Sequence, residues 1–139
     1  MSTHAARLAR LFTPYYACRI NAQIVHPNVS RLVKPNELES ALARPLQVSI
    51  YEPRQPSHYL AATLSYGIIN GHPFMDGNKR TAFFLANEYL RAMGLAGLAD
   101  NGKVGVVYDD ISKLADGYVN TAAGRLNVQE LADSIGRWQ

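Results

Sequence analysis

"NGHPFMDGNKRT", residues 70–81, decides how this chain is read. One short connection holds a histidine, an aspartate, two glycines, two asparagines, a lysine and an arginine. The apolar runs on both sides, "HYLAATLSYGIIN" before it and "TAFFLANEYLRAMG" after it, have helical spacing, so the stretch joins two buried helices. The second of these begins near Asn78. A helix start offers unpaired N–H groups and the positive end of a dipole, which together make an anion site. Gly77 leaves that backbone open to a phosphate. Lys79 and Arg80 add full positive charge, and a guanidinium can grip phosphate oxygens with two parallel bonds.

Asp76 does not suit an anion site unless a cation comes with the anion. One carboxylate beside bound phosphates fits Mg²⁺, which is held by few protein groups and by phosphate oxygens. His72 supplies a base suited to neutral pH, and Phe74, apolar in a polar loop, is expected to anchor the loop in the core. Each residue alone has an ordinary reading: a structural histidine, an N-cap aspartate, a solvated basic face. Their order points to phosphoryl or nucleotidyl transfer. A Walker A loop is excluded, because Gly71 and Gly77 are six apart and Asn78 separates Gly77 from Lys79. His4, His26, His58 and His72 form no HExxH zinc motif.

The rest of the chain reads as one all-α domain spanning 1–139. Its 139 residues are 47% hydrophobic and 18% charged, ordinary composition for a single core. Thr13 and Pro14 mark a helix start, followed by Tyr16, Ile20 and Ile24 at helical spacing. "KPNELESALARP" is expected to be a short helix stopped near Ala43 or Arg44 by Pro45. "PLQVSIYEPRQP" alternates Leu46, Val48 and Ile50 with Gln47, Ser49 and Tyr51, which predicts an extended or hairpin-like flap. Ser57 is placed to cap the next helix, with Leu60, Ala61, Leu64 and Ile68 on one face, and Gly71 to stop it. Ala82, Leu85, Ala86, Tyr89, Leu90 and Met93 form the following stripe, widened by Phe83 and Phe84. A later helix carries Ile111, Leu114, Ala115 and Tyr118. The last opens on an Asn127–Glu130 capping box and presents Leu131, Ile135 and Trp138.

The net charge of +3 is uneven. Residues 1–36 hold Arg7, Arg10, Arg19, Arg31 and Lys34 and no acid, while the remainder has nine basic and eleven acidic side chains. "MSTHAARLARLF" is expected to be a first helix with a basic outer face; a mitochondrial presequence is the alternative. Nucleic-acid binding is disfavoured, since no groove-reading motif accompanies the basic start. The single cysteine, Cys18, excludes an internal disulfide and points to a reducing, cytoplasmic setting. No apolar run approaches the ~20 residues of a membrane helix.

"HPFMDGNKR" resembles the signature of the Fic/Doc (Fido) family, His-Pro-Phe-x-(Asp or Glu)-Gly-Asn-(Gly or Lys)-Arg. The resemblance is strongest over residues 13–95 and is to the Doc-type (death-on-curing) branch. It implies an all-α helical bundle with a flap beside the active-site loop, using ATP or a related nucleotide to modify a protein hydroxyl. His72 would then deprotonate a target Ser, Thr or Tyr, and Asp76 would hold Mg²⁺. Gly77, Asn78 and Lys79 would line the anion hole, Arg80 would bind nucleotide phosphate, and the flap at 46–52 would clamp the target by strand addition.

AMP-transferring members usually have glycine at the position of Lys79 and a second arginine at that of Phe83. The pair found here is similar to the Doc type, which phosphorylates a translation elongation factor. Phosphate transfer is therefore favoured over AMPylation, with a non-catalytic binding module as a third reading. The family's self-inhibitory helix carries Ser or Thr four residues before a Glu that precedes Gly or Asn. No such pair occurs, so an inhibitor, if there is one, would be a separate protein.

Overall fold

The computed structural model describes residues 3–95, 118, 120, 121, 123, 124 and 126–136. Six helices are bounded among them: α1 Thr3–Leu11, α2 Pro14–Val25, α3 Pro35–Tyr51, α4 Ser57–Gly71, α5 Asn78–Ala92 and α6 Val128–Gly136. The described residues contain no strand, only an isolated antiparallel bridge between Leu32 and Phe74. The expected helix through Ile111, Leu114 and Ala115 lies outside the described residues, as does Trp138.

Helix α4 is the hub and packs against α3, α5 and α6. Leu60, Ala61, Ala62, Thr63, Leu64, Ser65, Ile68 and Ile69 are all buried, more than one stripe, because neighbours cover several of its faces. Gly67 permits a close crossing with α3: a Cβ there would lie 2.8 Å from Cβ of Ala41. One turn later a Cβ on Gly71 would lie 3.0 Å from Cβ of Glu37. These two contacts set α3 and α4 antiparallel and bring the start of α3 to the end of α4. Helix α1 buries Ala5 and Leu8 against this core and leaves Arg7 and Arg10 outside, the amphipathic first helix expected from its pattern.

Two caps follow the sequence. The Thr13 hydroxyl accepts from the Tyr16 N–H at 3.2 Å, with Pro14 at the first helical position. The Asn127 side chain accepts from Glu130 N–H at 2.9 Å, and the Glu130 carboxylate accepts from Asn127 N–H at 3.1 Å. Two others do not. Ser57 is the first residue of α4, behind Pro56, and caps nothing. The stop of α4 is His72 in the left-handed conformation, not Gly71.

The largest correction concerns Pro45. Helix α3 runs through it to Tyr51, so Leu46, Gln47, Val48, Ser49, Ile50 and Tyr51 are helical and form no flap. A helix-interior proline costs about 3 kcal/mol. Burial offsets that cost, since Leu38, Ala41, Leu42, Pro45 and Ser49 make one continuous helical face. The alternation at 46–50 covers little more than one helical turn, in which Ser49 is buried and Ile50 exposed, so a period of two does not describe it. The α5 stripe also narrows, with Phe84 exposed while Phe83 packs edge-on against Tyr118 at 5.4 Å.

Candidate active site

The loop between α4 and α5 is held from three sides. At its start, His72 adopts φ 47° and ψ 54°, alone in the left-handed region among the described non-glycine residues. That conformation is sparsely populated for L-residues and turns the chain sharply out of α4. His72 N–H still donates to Ile68 carbonyl at 3.1 Å, so the turn is closed while the imidazole stays exposed.

Phe74 is the anchor expected of it, 2% exposed. Its backbone is bracketed by one side chain. Asn78 Oδ1 accepts from Phe74 N–H at 3.0 Å, and Asn78 Nδ2 donates to Phe74 carbonyl at 2.8 Å. The same Nδ2 lies 3.4 Å from His72 Nδ1, which holds the amide against the ring. The buried Asn78 side chain is thus occupied with the loop, which leaves its backbone N–H, at the first position of α5, to face an anion.

Gly77 is the N-cap of α5 at φ 76°. A Cβ there would sit 2.8 Å from Cγ1 of Val25, so glycine is required by conformation and by the approach of α2. Asp76 Oδ1 accepts from Gly77 N–H at 2.8 Å, and its Oδ2 lies 3.9 Å from Arg80, both side chains being 60% exposed. Such an exposed pair is weak and readily exchanged for other partners. Arg80 also donates to Ile24 carbonyl at 3.2 Å. Lys79 is exposed on the first turn beside it.

The structure therefore brings His72, Asp76, Gly77, Asn78, Lys79 and Arg80 around one helix start. Residues 46–51 are not part of this group. Glu37 touches Gly71, and Tyr51 lies fourteen residues further along α3, roughly 20 Å away at 1.5 Å per residue. Extended backbone does flank the loop, but from the segment after α2. Val33 and Lys34 N–H groups donate to Pro73 carbonyl at 2.8 and 3.0 Å, and Met75 N–H donates to Arg31 carbonyl at 2.9 Å. Val29, Val33 and Met75 are exposed along this edge.

Asn21 is a further participant that helical spacing alone does not reveal. It lies on the buried face of α2 with Ala17, Ile20 and Val25, 1% exposed. An amide on an apolar face is a signal in itself, because it is costly to bury without partners. Its partners are the Asp76 carbonyl at 2.8 Å, Thr81 Oγ1 at 3.1 Å and Ser30 Oγ at 2.5 Å.

A divalent cation fits one way. Among the described residues no three His, Cys, Asp or Glu side chains gather into a protein cage. Asp76 offers one exposed, loosely paired carboxylate beside the start of α5, a donor set suited to Mg²⁺ completed by phosphate and water.

The family model described as Fic/DOC family matches residues 11–90. The chain is also similar to Protein kinase doc of Escherichia phage P1, 31% identical over 103 residues that cover 74% of this chain and 73% of that protein.

Proposed function

The chain belongs to the Fic/Doc family, and we propose that it is a Mg²⁺- and ATP-dependent transferase that phosphorylates a protein hydroxyl. The observation that carries this reading is the bracing of the exposed His72 by Asn78, which also opens the phosphate-facing helix. Base and anion site share one rigid support.

On this reading His72 takes the proton of a target Ser, Thr or Tyr. The hydroxyl oxygen forms a bond to the γ-phosphorus as the bond to the β–γ bridging oxygen breaks, and ADP leaves. The α5 N-terminus, Lys79 and Arg80 stabilise the phosphate oxygens. Asp76 would hold Mg²⁺, which supplies charge neutralisation at the phosphates.

Phosphate transfer is favoured over AMP transfer by Lys79 and Phe83, which leave α5 one phosphate-gripping arginine fewer, and by the name of the similar phage protein. The edge at 29–33 beside Met75 replaces residues 46–51 as the place where a target segment would add as a strand. The partner class is a protein target, an elongation factor being the first candidate by resemblance, with any inhibitor supplied as a separate protein. The setting proposed is cytoplasmic; no helix among the described residues is long and apolar enough to cross a membrane.

The test is incubation with γ-labelled and α-labelled ATP and candidate targets. Covalent label from the γ position is expected. Label from the α position would establish AMPylation, and none from either, with a target bound, would favour a binding module.

A further inference from the structure

Asn21 uses both of its amide hydrogens and its carbonyl oxygen near the loop. Both Nδ2 hydrogens are used, on the Asp76 carbonyl and on Thr81 Oγ1, and Oδ1 accepts from Ser30. These bonds join four segments: α2, the extended segment, the loop and the first turn of α5. Leucine would satisfy the apolar face of α2 but none of these bonds.

Asp76 is otherwise loosely held. Its carboxylate has the neighbouring Gly77 N–H and an exposed arginine 3.9 Å away. The bond from Asn21 is the one that ties its backbone to another, buried element. We infer that Asn21 is the positioning residue for the cation site, fixing the Asp76 backbone so that its carboxylate meets a Mg²⁺-bound nucleotide, and linking that loop through Ser30 to the extended segment beside it. This rests on the reading of Asp76 as the cation-holding residue. The Ser30 bond makes the link reciprocal: whatever orders residues 29–33 also steadies the amide that holds Asp76.

The contribution is to geometry, not to charge, so it is read in the cation requirement for nucleotide binding. Calorimetric titration with ATP, over a series of Mg²⁺ concentrations and in chelator, measures this without turnover. Asn21→Ala is expected to raise the Mg²⁺ concentration for half-maximal binding by about tenfold, the lower end for a residue acting behind a metal ligand. Binding of ATP in chelator should not change. Thr81→Val is the matched control: it removes one bond to Asn21 and keeps the bond to Asp76, so it should lose thermal stability but keep the parent Mg²⁺ requirement. Equal shifts in both variants, or no shift in Asn21→Ala, would overturn the inference. Should Asn21→Ala fail to fold, Asn21→Ser decides, because its shorter side chain keeps a polar atom on this face of α2 but loses the amide that donates to the Asp76 carbonyl; a raised Mg²⁺ requirement is expected and an unchanged one fatal. A parent protein that binds ATP equally in Mg²⁺ and in chelator would remove the reading of Asp76 first, and this inference with it.

Discussion

The amide of Asn78 stands 3.4 Å from Nδ1 of His72 while bonding both backbone groups of Phe74. One side chain therefore braces both the His72 ring and the start of α5. Asn78→Ala strands a buried N–H and a buried carbonyl, each costing about 1–3 kcal/mol. The variant should unfold at lower denaturant and lose transfer together. Wild-type stability would show that the bracket bears no load.

His72→Ala should lower transfer by roughly 10²–10⁴-fold with nucleotide binding retained. The left-handed backbone at this position adds a second expectation. His72→Gly should be equally inactive yet melt no lower than His72→Ala, since a side chain in that region costs about 1 kcal/mol or more. Wild-type transfer by either variant would remove His72 as the base.

Asp76 accepts from Gly77 N–H, and its proposed role as the cation-holding carboxylate is separable from that bond. Asp76→Asn keeps an oxygen for the cap and removes the charge. It should fold like the parent and lose Mg²⁺-dependent turnover, as Asp76→Ala should. Retained turnover in Asp76→Asn would reduce Asp76 to a cap.

Lys79 and Phe83 together should direct which phosphate is transferred. The double change Lys79→Gly with Phe83→Arg is expected to move label from the γ toward the α position. Phe83→Arg alone should also cost stability of about 0.5–1.5 kcal/mol, because Phe83 packs edge-on against Tyr118. Unchanged label position in the double variant would show that other groups set the register of the nucleotide.

Tyr89 offers a test remote from the loop. Burial pushes its hydroxyl up to about 12, and that hydroxyl has no partner among the described residues. Tyr89→Phe should therefore match or exceed parent stability at pH 7, by up to about 1 kcal/mol. The folded pKa lies above the ordinary tyrosine value of 10.0. Stability is therefore unaffected by this group below pH 10 and falls as pH rises from there through 12. Denaturant midpoints in that window should fall less steeply for Tyr89→Phe, and identical slopes would count against the burial reading.

Features written in neighbouring residues were legible in the sequence. The Thr13 and Asn127–Glu130 caps need only a side chain and the backbone three residues on. The burial of Phe74 and the inward stripe from Ala82 to Leu90 follow from hydrophobicity and period alone. Phe84 was misplaced because a stripe's width depends on which neighbours arrive.

By itself, then, the sequence determined an all-α chain with a base, a carboxylate and a cationic helix start packed into one connection, since all of them lie within ten residues. Tertiary structure decided the rest. Pro45 stays inside α3 because its helical face is buried in the core, so 46–51 is helical and the extended edge is the segment at 29–33. Asn21 reaches the loop across 55 residues of chain. No local pattern records such a bond, because its favourable energy exists only after the helices have met.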